Sequence, residues 1–114
     1  MKVIIAGSRS VNNYDHIERA IELSQFKISQ VISGTARGVD QLGEKWADLH
    51  NIPVKRFPAD WGEYGKSAGY KRNEEMADYA DAVIAIWDGI SKGTNHMINI
   101  AERKNLKVFV YYIV

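Results

Sequence analysis

The 114-residue chain has no cysteine. That excludes a disulfide framework and any thiolate chemistry. Histidine is scarce too: His16, His50 and His96 are scattered, with no spacing such as HExxH, so no metal site is expected. No apolar run approaches the ~20 residues of a membrane span. The opening MKVIIAG is too short for a signal-peptide core and runs straight into folded-looking sequence. A cytoplasmic protein with no membrane partner is the expectation. An excess of one charge is also lacking, since 15 basic and 14 acidic side chains leave a net charge of +1. This balance argues against a surface dominated by nucleic acid, while leaving room for a local basic cleft.

The composition that remains is ordinary for a globular protein: 46% hydrophobic and 25% charged residues. The length suits one domain, 1–114, burying roughly two-thirds of its unfolded surface. Short apolar runs alternate with helical periodicities. Strands are expected at Lys2–Ala6, Gln30–Ser33, Ile52–Phe57, Asp81–Trp87 and Leu106–Ile113. Helices are expected at Tyr14–Gln25, Val39–Asn51, Ala68–Tyr79 and Thr94–Lys104. The second carries the stripe Val39, Leu42, Trp46 and Leu49, and residues 59–68 read as a Gly-rich loop. Strands alternating with helices of this length imply βαβ units and right-handed crossovers. The expected fold is α/β: a Rossmann-like three-layer sandwich on a five-stranded, mainly parallel sheet of order 3-2-1-4-5.

Ligands of such sheets bind beyond the carboxyl ends of the strands, where the strand order switches. The strand-to-helix loops are therefore the places to look for chemistry. Gly34-Thr35-Ala36-Arg37-Gly38 places two glycines, a hydroxyl and a guanidinium before a helix N-terminus, a pattern suited to phosphate. Asp40 follows in the first turn, as a helix-start charge or an acceptor for ribose hydroxyls. The 88–94 loop repeats the design, with Gly89, Lys92, Gly93 and Thr94, the last a natural N-cap. Gly7, Ser8 and Arg9 follow the first strand. Arg72 and Asn73 open the third helix, as an anion clamp and a base or ribose contact, with a structural ion pair between Arg72 and Glu74 or Glu75 as the alternative. Trp61 and Tyr64 either stack on a base or pin their loop. Gly65-Lys66-Ser67 lacks the upstream glycine of a Walker A loop, and no GxGxxG follows the first strand.

Taken together, Gly7-Ser8-Arg9, Gly34 to Asp40, Gly65 to Gly69, Arg72-Asn73 and Lys92-Gly93-Thr94 resemble the small YspA/YpsA-related domains of the SLOG superfamily. That superfamily also includes the DNA-processing protein DprA/Smf and the LOG phosphoribohydrolases. The resemblance implies a Rossmann-like fold that binds nucleotides or ligands derived from them, and it implies dimerisation, here through apolar positions of the third and fourth helices. Residues 72–97 resemble the LOG stretch in which Arg72 falls on the active-site arginine and Gly93-Thr94 on the phosphate-binding pair. The LOG Pro-Gly-Gly is replaced by Trp87-Asp88-Gly89 with two extra residues, and Met97 stands at the catalytic glutamate. Methionine cannot act as an acid, so a LOG-like hydrolase here would need Asp40 or Asp88 in its place.

The leading expectation is a module without a cofactor that binds a nucleotide-like small molecule, phosphoribosyl or ADP-ribose-like, as a sensor or sequestering device. The ligand set is Gly7, Ser8, Arg9, Gly34, Thr35, Ala36, Arg37, Gly38, Asp40, Arg72, Asn73, Gly89, Lys92, Gly93 and Thr94. A nucleotide N-glycosidase with Asp40 as its catalytic residue is the alternative. A DprA-like nucleic-acid-binding protein is the third reading, weakened by the small size and near-zero charge.

Overall fold

The computed structural model describes residues 1–113. Residue 114, the last of the expected domain, lies outside them. The elements run β1 (Lys2–Gly7), α1 (Asp15–Ser24), β2 (Gln30–Ser33), α2 (Val39–Leu49), β3 (Val54–Arg56), α3 (Trp61–Tyr64), α4 (Ala68–Tyr79), β4 (Ala82–Trp87), α5 (Lys92–Arg103) and β5 (Lys107–Tyr112). A single 3₁₀ turn, Gly65–Ser67, joins α3 to α4.

The described strands form one sheet in the order β3-β2-β1-β4-β5, and every pairing is parallel. The expected order holds, and the sheet is wholly rather than mainly parallel. Alternate residues of each inner strand serve opposite faces. Val3, Ile5 and Ile84 pack with Ile17, Ala20 and Trp46 of α1 and α2. Ile4, Ala6 and Val83 pack with Met76, Met97 and Ile100 of α4 and α5. β4 is buried along nearly its whole length, as a strand covered on both faces must be. β3 is a short edge, and its exposed Lys55 and Arg56 discourage pairing with another chain.

Several local expectations are corrected. Ile52 is not in a strand, because its N–H bonds to Ala47 O and finishes the turn after α2. Leu49 does not complete the α2 stripe but is 60% exposed. The loop expected at 59–68 contains α3, which is possible because Asp60 Oδ1 accepts the Glu63 N–H at 3.0 Å and caps it. α5 begins at Lys92 rather than Thr94. Asp88 Oδ1 accepts the N–H groups of Ile90 and Ser91, both at 2.8 Å, and this turn starts the helix early. Thr94 is therefore no N-cap; it is buried in the first turn with its hydroxyl donating to Ser91 Oγ at 3.2 Å. The large exposed apolar residues fall mostly outside the third and fourth expected helices, at Leu23, Leu49, Ile90 and Tyr112. No helix among the described residues is long and apolar enough to cross a membrane.

The centre of the sheet predicts the largest core penalty. Ile84→Ala, at a position with no exposed surface, is expected to lower the unfolding free energy by about 3 kcal/mol. Urea denaturation measures this; a loss below about 1 kcal/mol would remove β4 from the centre of the core.

Candidate functional site

The β1–α1, β2–α2 and β4–α5 loops meet above the β1/β4 boundary, where the direction of chain winding reverses. With the start of α4 they enclose an open cleft of about 790 Å³. Of the expected ligand residues, Gly7, Arg9, Gly34, Thr35, Ala36, Arg37, Asp40, Arg72, Asn73, Lys92, Gly93 and Thr94 line it. Ser8 and Gly38 do not. They fall on a second pocket of about 620 Å³ that shares Arg9, Arg37 and Ser91 with the first. Gly89 lines neither; it is an exposed turn residue with φ +80°.

The β2–α2 turn is held from several sides. Arg72 Nη1 reaches across from α4 and donates to Gly34 O at 2.5 Å. Ala36 N–H donates to Asp40 Oδ2 at 3.1 Å. A side chain at Gly34 is impossible without movement, because its Cβ would lie 2.7 Å from Arg72 Nη1 and 2.8 Å from Asp40 Oδ2. Gly38 combines φ +79° with close packing on the Ser8 and Arg9 carbonyls. Thr35 has φ +64°, an uncommon conformation for a β-branched residue. Its N–H is held by Ser33 Oγ at 3.1 Å, while Ser33 Oγ donates to Glu44 Oε2 at 2.6 Å. Arg56 Nε in turn donates to Glu44 Oε1 at 2.9 Å. Strain of this kind persists only where the surroundings over-determine it.

Asp40 is only 7% exposed. Burial pushes its pKa up to about 6, and the Ala36 N–H and the Arg72 guanidinium offset only part of that effect. Arg72 is shifted downward by its own burial, with Asp40 opposing the shift. The two are not in ion-pair contact. Arg72 has no bond to Glu74 or Glu75 either, and Arg72 Nε donates instead to Asn73 Oδ1 at 3.1 Å.

Asn73 links α4 to α5. Its Nδ2 donates to Gly93 O at 3.3 Å and meets His96 Nδ1 at 3.1 Å. His96 is then an acceptor at Nδ1, in keeping with a pKa lowered mainly by burial. Asn73 thus has its amide committed to the protein framework rather than open to a base. Asp88 is likewise committed to starting α5, and the two amides it accepts hold its pKa low. Met97, 1% exposed, forms part of the cleft floor. Asp40 is the carboxylate that the cleft offers among the described residues.

Sequence reading passed over Pro58, Tyr70, Met76 and Ser91 as cleft residues, and it did not assign Lys66 or His96 to the site. Tyr70 and Lys66 occupy the segment after β3, and their interleaved aromatic and basic pattern, WGEYGKSAGYKR, was the available signal. Trp61 lines the cleft but Tyr64 does not; the latter lies under Lys71 Nζ, 4.8 Å from the ring centroid.

The model of the YspA, cpYpsA-related SLOG family matches residues 1–64. The match takes in the first two loops and ends before Arg72. The Gene 61 protein of Mycobacterium phage D29 is 32% identical over 117 residues, covering 94% of this chain and 93% of the phage protein. The uncharacterized SPbeta prophage-derived protein YoqJ of Bacillus subtilis (strain 168) is 38% identical over 45 residues, 40% of this chain and 26% of that protein. Among solved structures, DNA processing protein A (DprA) from Streptococcus pneumoniae matches with a TM-score of 0.76 at 18% identity. It covers 96% of this chain, which spans 49% of the DprA chain, and the likeness is one of fold.

The buried carboxylate predicts a pH signature. Between about pH 4 and 6 the folded protein keeps a proton on Asp40 that the unfolded chain has released, so stability falls as pH rises. Asp40→Asn removes this loss and can still accept the Ala36 N–H. The variant is expected to match the wild type near pH 4 and to exceed it by up to about 3 kcal/mol at pH 7. Denaturation of both proteins at pH 4, 5, 6 and 7 tests this; a stability difference independent of pH would refute it.

Proposed function

Because the chain belongs to the YspA, cpYpsA-related SLOG family, we propose that its cleft binds a nucleotide or nucleotide-derived ligand of the phosphoribosyl or ADP-ribose kind, as a sensor or sequestering module. The observation that carries this reading is the set of cations around the opening. Arg9, Arg37, Lys66 and Lys92 all line the cleft, and none is ion-paired among the described residues. Four unpaired cations facing one hollow repel each other unless an anion joins them. The first-turn N–H groups of α5, Lys92 to Thr94, make no hydrogen bond among the described residues and add partial positive charge at the same place. A phosphate would find charge from two guanidiniums and directed donors from a helix start.

A hydrolase is the second reading, favoured by Asp40. A cleft carboxylate with a pKa near 6 can hold a proton and release it close to neutral pH. Asp40 lines the cleft; its Oδ2 is taken by the Ala36 N–H, while Oδ1 has no hydrogen-bond partner among the described residues.

Thermal-shift measurements with AMP, ADP-ribose, NAD and inorganic phosphate test the binding reading. A ligand at a hundred times its dissociation constant should stabilise the fold by about 2.7 kcal/mol. The double variant Arg9→Ala/Arg37→Ala should weaken binding at least about tenfold, since each charge-assisted contact contributes roughly 1.5–3 kcal/mol. Absence of a shift with every one of these compounds would overturn the proposal. If single-stranded DNA bound instead, with an affinity falling steeply in salt, the third reading would replace it. For the hydrolase, nucleoside 5′-monophosphates incubated with the protein should release free base, and Asp40→Asn should abolish the release. Release that survives this substitution would remove Asp40 from the chemistry.

A further inference from the structure

The cations suit the phosphate of a ligand and leave the part of the cleft wall built by residues 61–70 only partly explained. That part forms an aromatic lip. Trp61, the first residue of α3, and Tyr70, in the first turn of α4, both line the cleft, at 56% and 45% exposure. The other two tryptophans are treated differently. Trp46 is buried in the core, and Trp87 is half-buried with its Nε1 donating to Ser91 O at 3.1 Å. The Trp61 indole makes no hydrogen bond among the described residues, and the residue is 56% exposed.

Resting on the nucleotide reading above, we propose that Trp61 and Tyr70 form a stacking site for a nucleobase, so that the ligand carries a planar heteroaromatic ring as well as phosphate. Three observations support this assignment. First, the turn of α3 is closed by hydrogen bonds that do not involve the Trp61 ring. Asp60 caps it, Tyr64 N–H bonds to Asp60 O, and Ser67 Oγ bonds to Tyr64 O. The ring edge lies beside Gly69: a Cβ built there would lie 3.6 Å from Trp61 Cη2. Gly69 itself lines the cleft, so the indole has a smooth backbone beside it.

Second, Tyr70 is braced from behind. Its ring lies 4.3 Å from that of His96, tilted by 49°, and His96 is fixed by Asn73. A preset ring loses little freedom when a base stacks on it. The Arg72–Asn73–His96 chain therefore runs from the GTARG turn to the aromatic lip and fixes the two walls relative to each other.

Third, stacking satisfies the exposed faces of both rings without demanding a particular base, since every base has a π-face. The lip offers few directed hydrogen bonds, because the Asn73 amide is occupied. It would separate nucleotides from plain sugar phosphates, and would distinguish adenine from guanine only weakly.

Calorimetric titration with AMP, GMP and ribose 5-phosphate, followed alongside by tryptophan fluorescence, tests the assignment. AMP should bind about tenfold more tightly than ribose 5-phosphate, the order expected for one stacked base, and should quench tryptophan emission. GMP should fall within about threefold of AMP. Trp61→Leu should bring AMP down to the affinity of ribose 5-phosphate while leaving ribose 5-phosphate unchanged. Trp61→Phe, which keeps a π-face, should recover most of the difference. Equal affinity for AMP and ribose 5-phosphate, or a preference for AMP that survives Trp61→Leu, would overturn the stacking site and leave the phosphate cleft standing. Failure of all three compounds and of inorganic phosphate to bind would overturn both.

Discussion

A carboxylate and a guanidinium face each other across a residue that has no side chain. Asp40 lies on one side of Gly34 and Arg72 on the other, each within 3 Å of where a Cβ would stand. The pair is too far apart for a direct ion pair, and burial dominates both shifts, upward for Asp40 and downward for Arg72. Their attraction is thus smaller than the penalty of leaving water. What each gains instead is a backbone bond. Asp40 holds the Ala36 N–H from below, and Arg72 holds the Gly34 carbonyl from the side. Two expensive buried charges are tolerated because together they fix one five-residue turn.

The rest of the cleft follows from that turn. With its ends tied, Thr35 is kept at positive φ, and the Ser33–Glu44–Arg56 chain anchors its N–H to α2 and β3. Gly38, packed on the Ser8 and Arg9 carbonyls, couples the turn to the β1–α1 loop, and Val39 N–H bonds to Ser8 O. Arg72 passes the constraint through Asn73 to His96 and α5. Apart from the exposed Arg56, the framework side chains are buried or half-buried and bonded. The cleft cations Arg9, Arg37, Lys66 and Lys92 are exposed and unpaired among the described residues. A rigid backbone under free cations is the arrangement that loses least entropy on binding an anion.

The alternation of apolar runs with helical periods was enough to read the fold, because parallel βαβ units with right-handed crossovers leave few arrangements for five strands. The loops were legible for a related reason. Glycine, arginine and hydroxyl residues clustered after strands rather than before them, and most of those residues do line the cleft. The misreadings are local. Asp60 and Asp88 cap through their own side chains, which created α3 and moved the start of α5, and either carboxylate could equally have been solvated. Thr94 looks like a cap in sequence, yet the turn made by Asp88 places it as the third residue of the helix, inside its first turn. Tyr70 and His96 are 26 positions apart and meet only because α4 and α5 pack side by side. No periodicity within either helix announces such a contact.

Asp40 is where framework and chemistry meet. As the helix-start charge foreseen from its position it would be solvated and low in pKa; buried beneath the turn, it is raised to about 6. Its two oxygens are unequal. Oδ2 belongs to the framework through Ala36, and Oδ1 has no hydrogen-bond partner among the described residues. Met97 offers no acid and Asp88 does not line the cleft, so any proton moved there by a carboxylate of the described residues would pass through Asp40. A carboxylate that also supports the turn cannot swing toward a substrate without releasing Ala36, and with it the conformation that presents Thr35 and Arg37. Whatever Asp40 does in the cleft is therefore done with Oδ2 held on Ala36 and the turn intact.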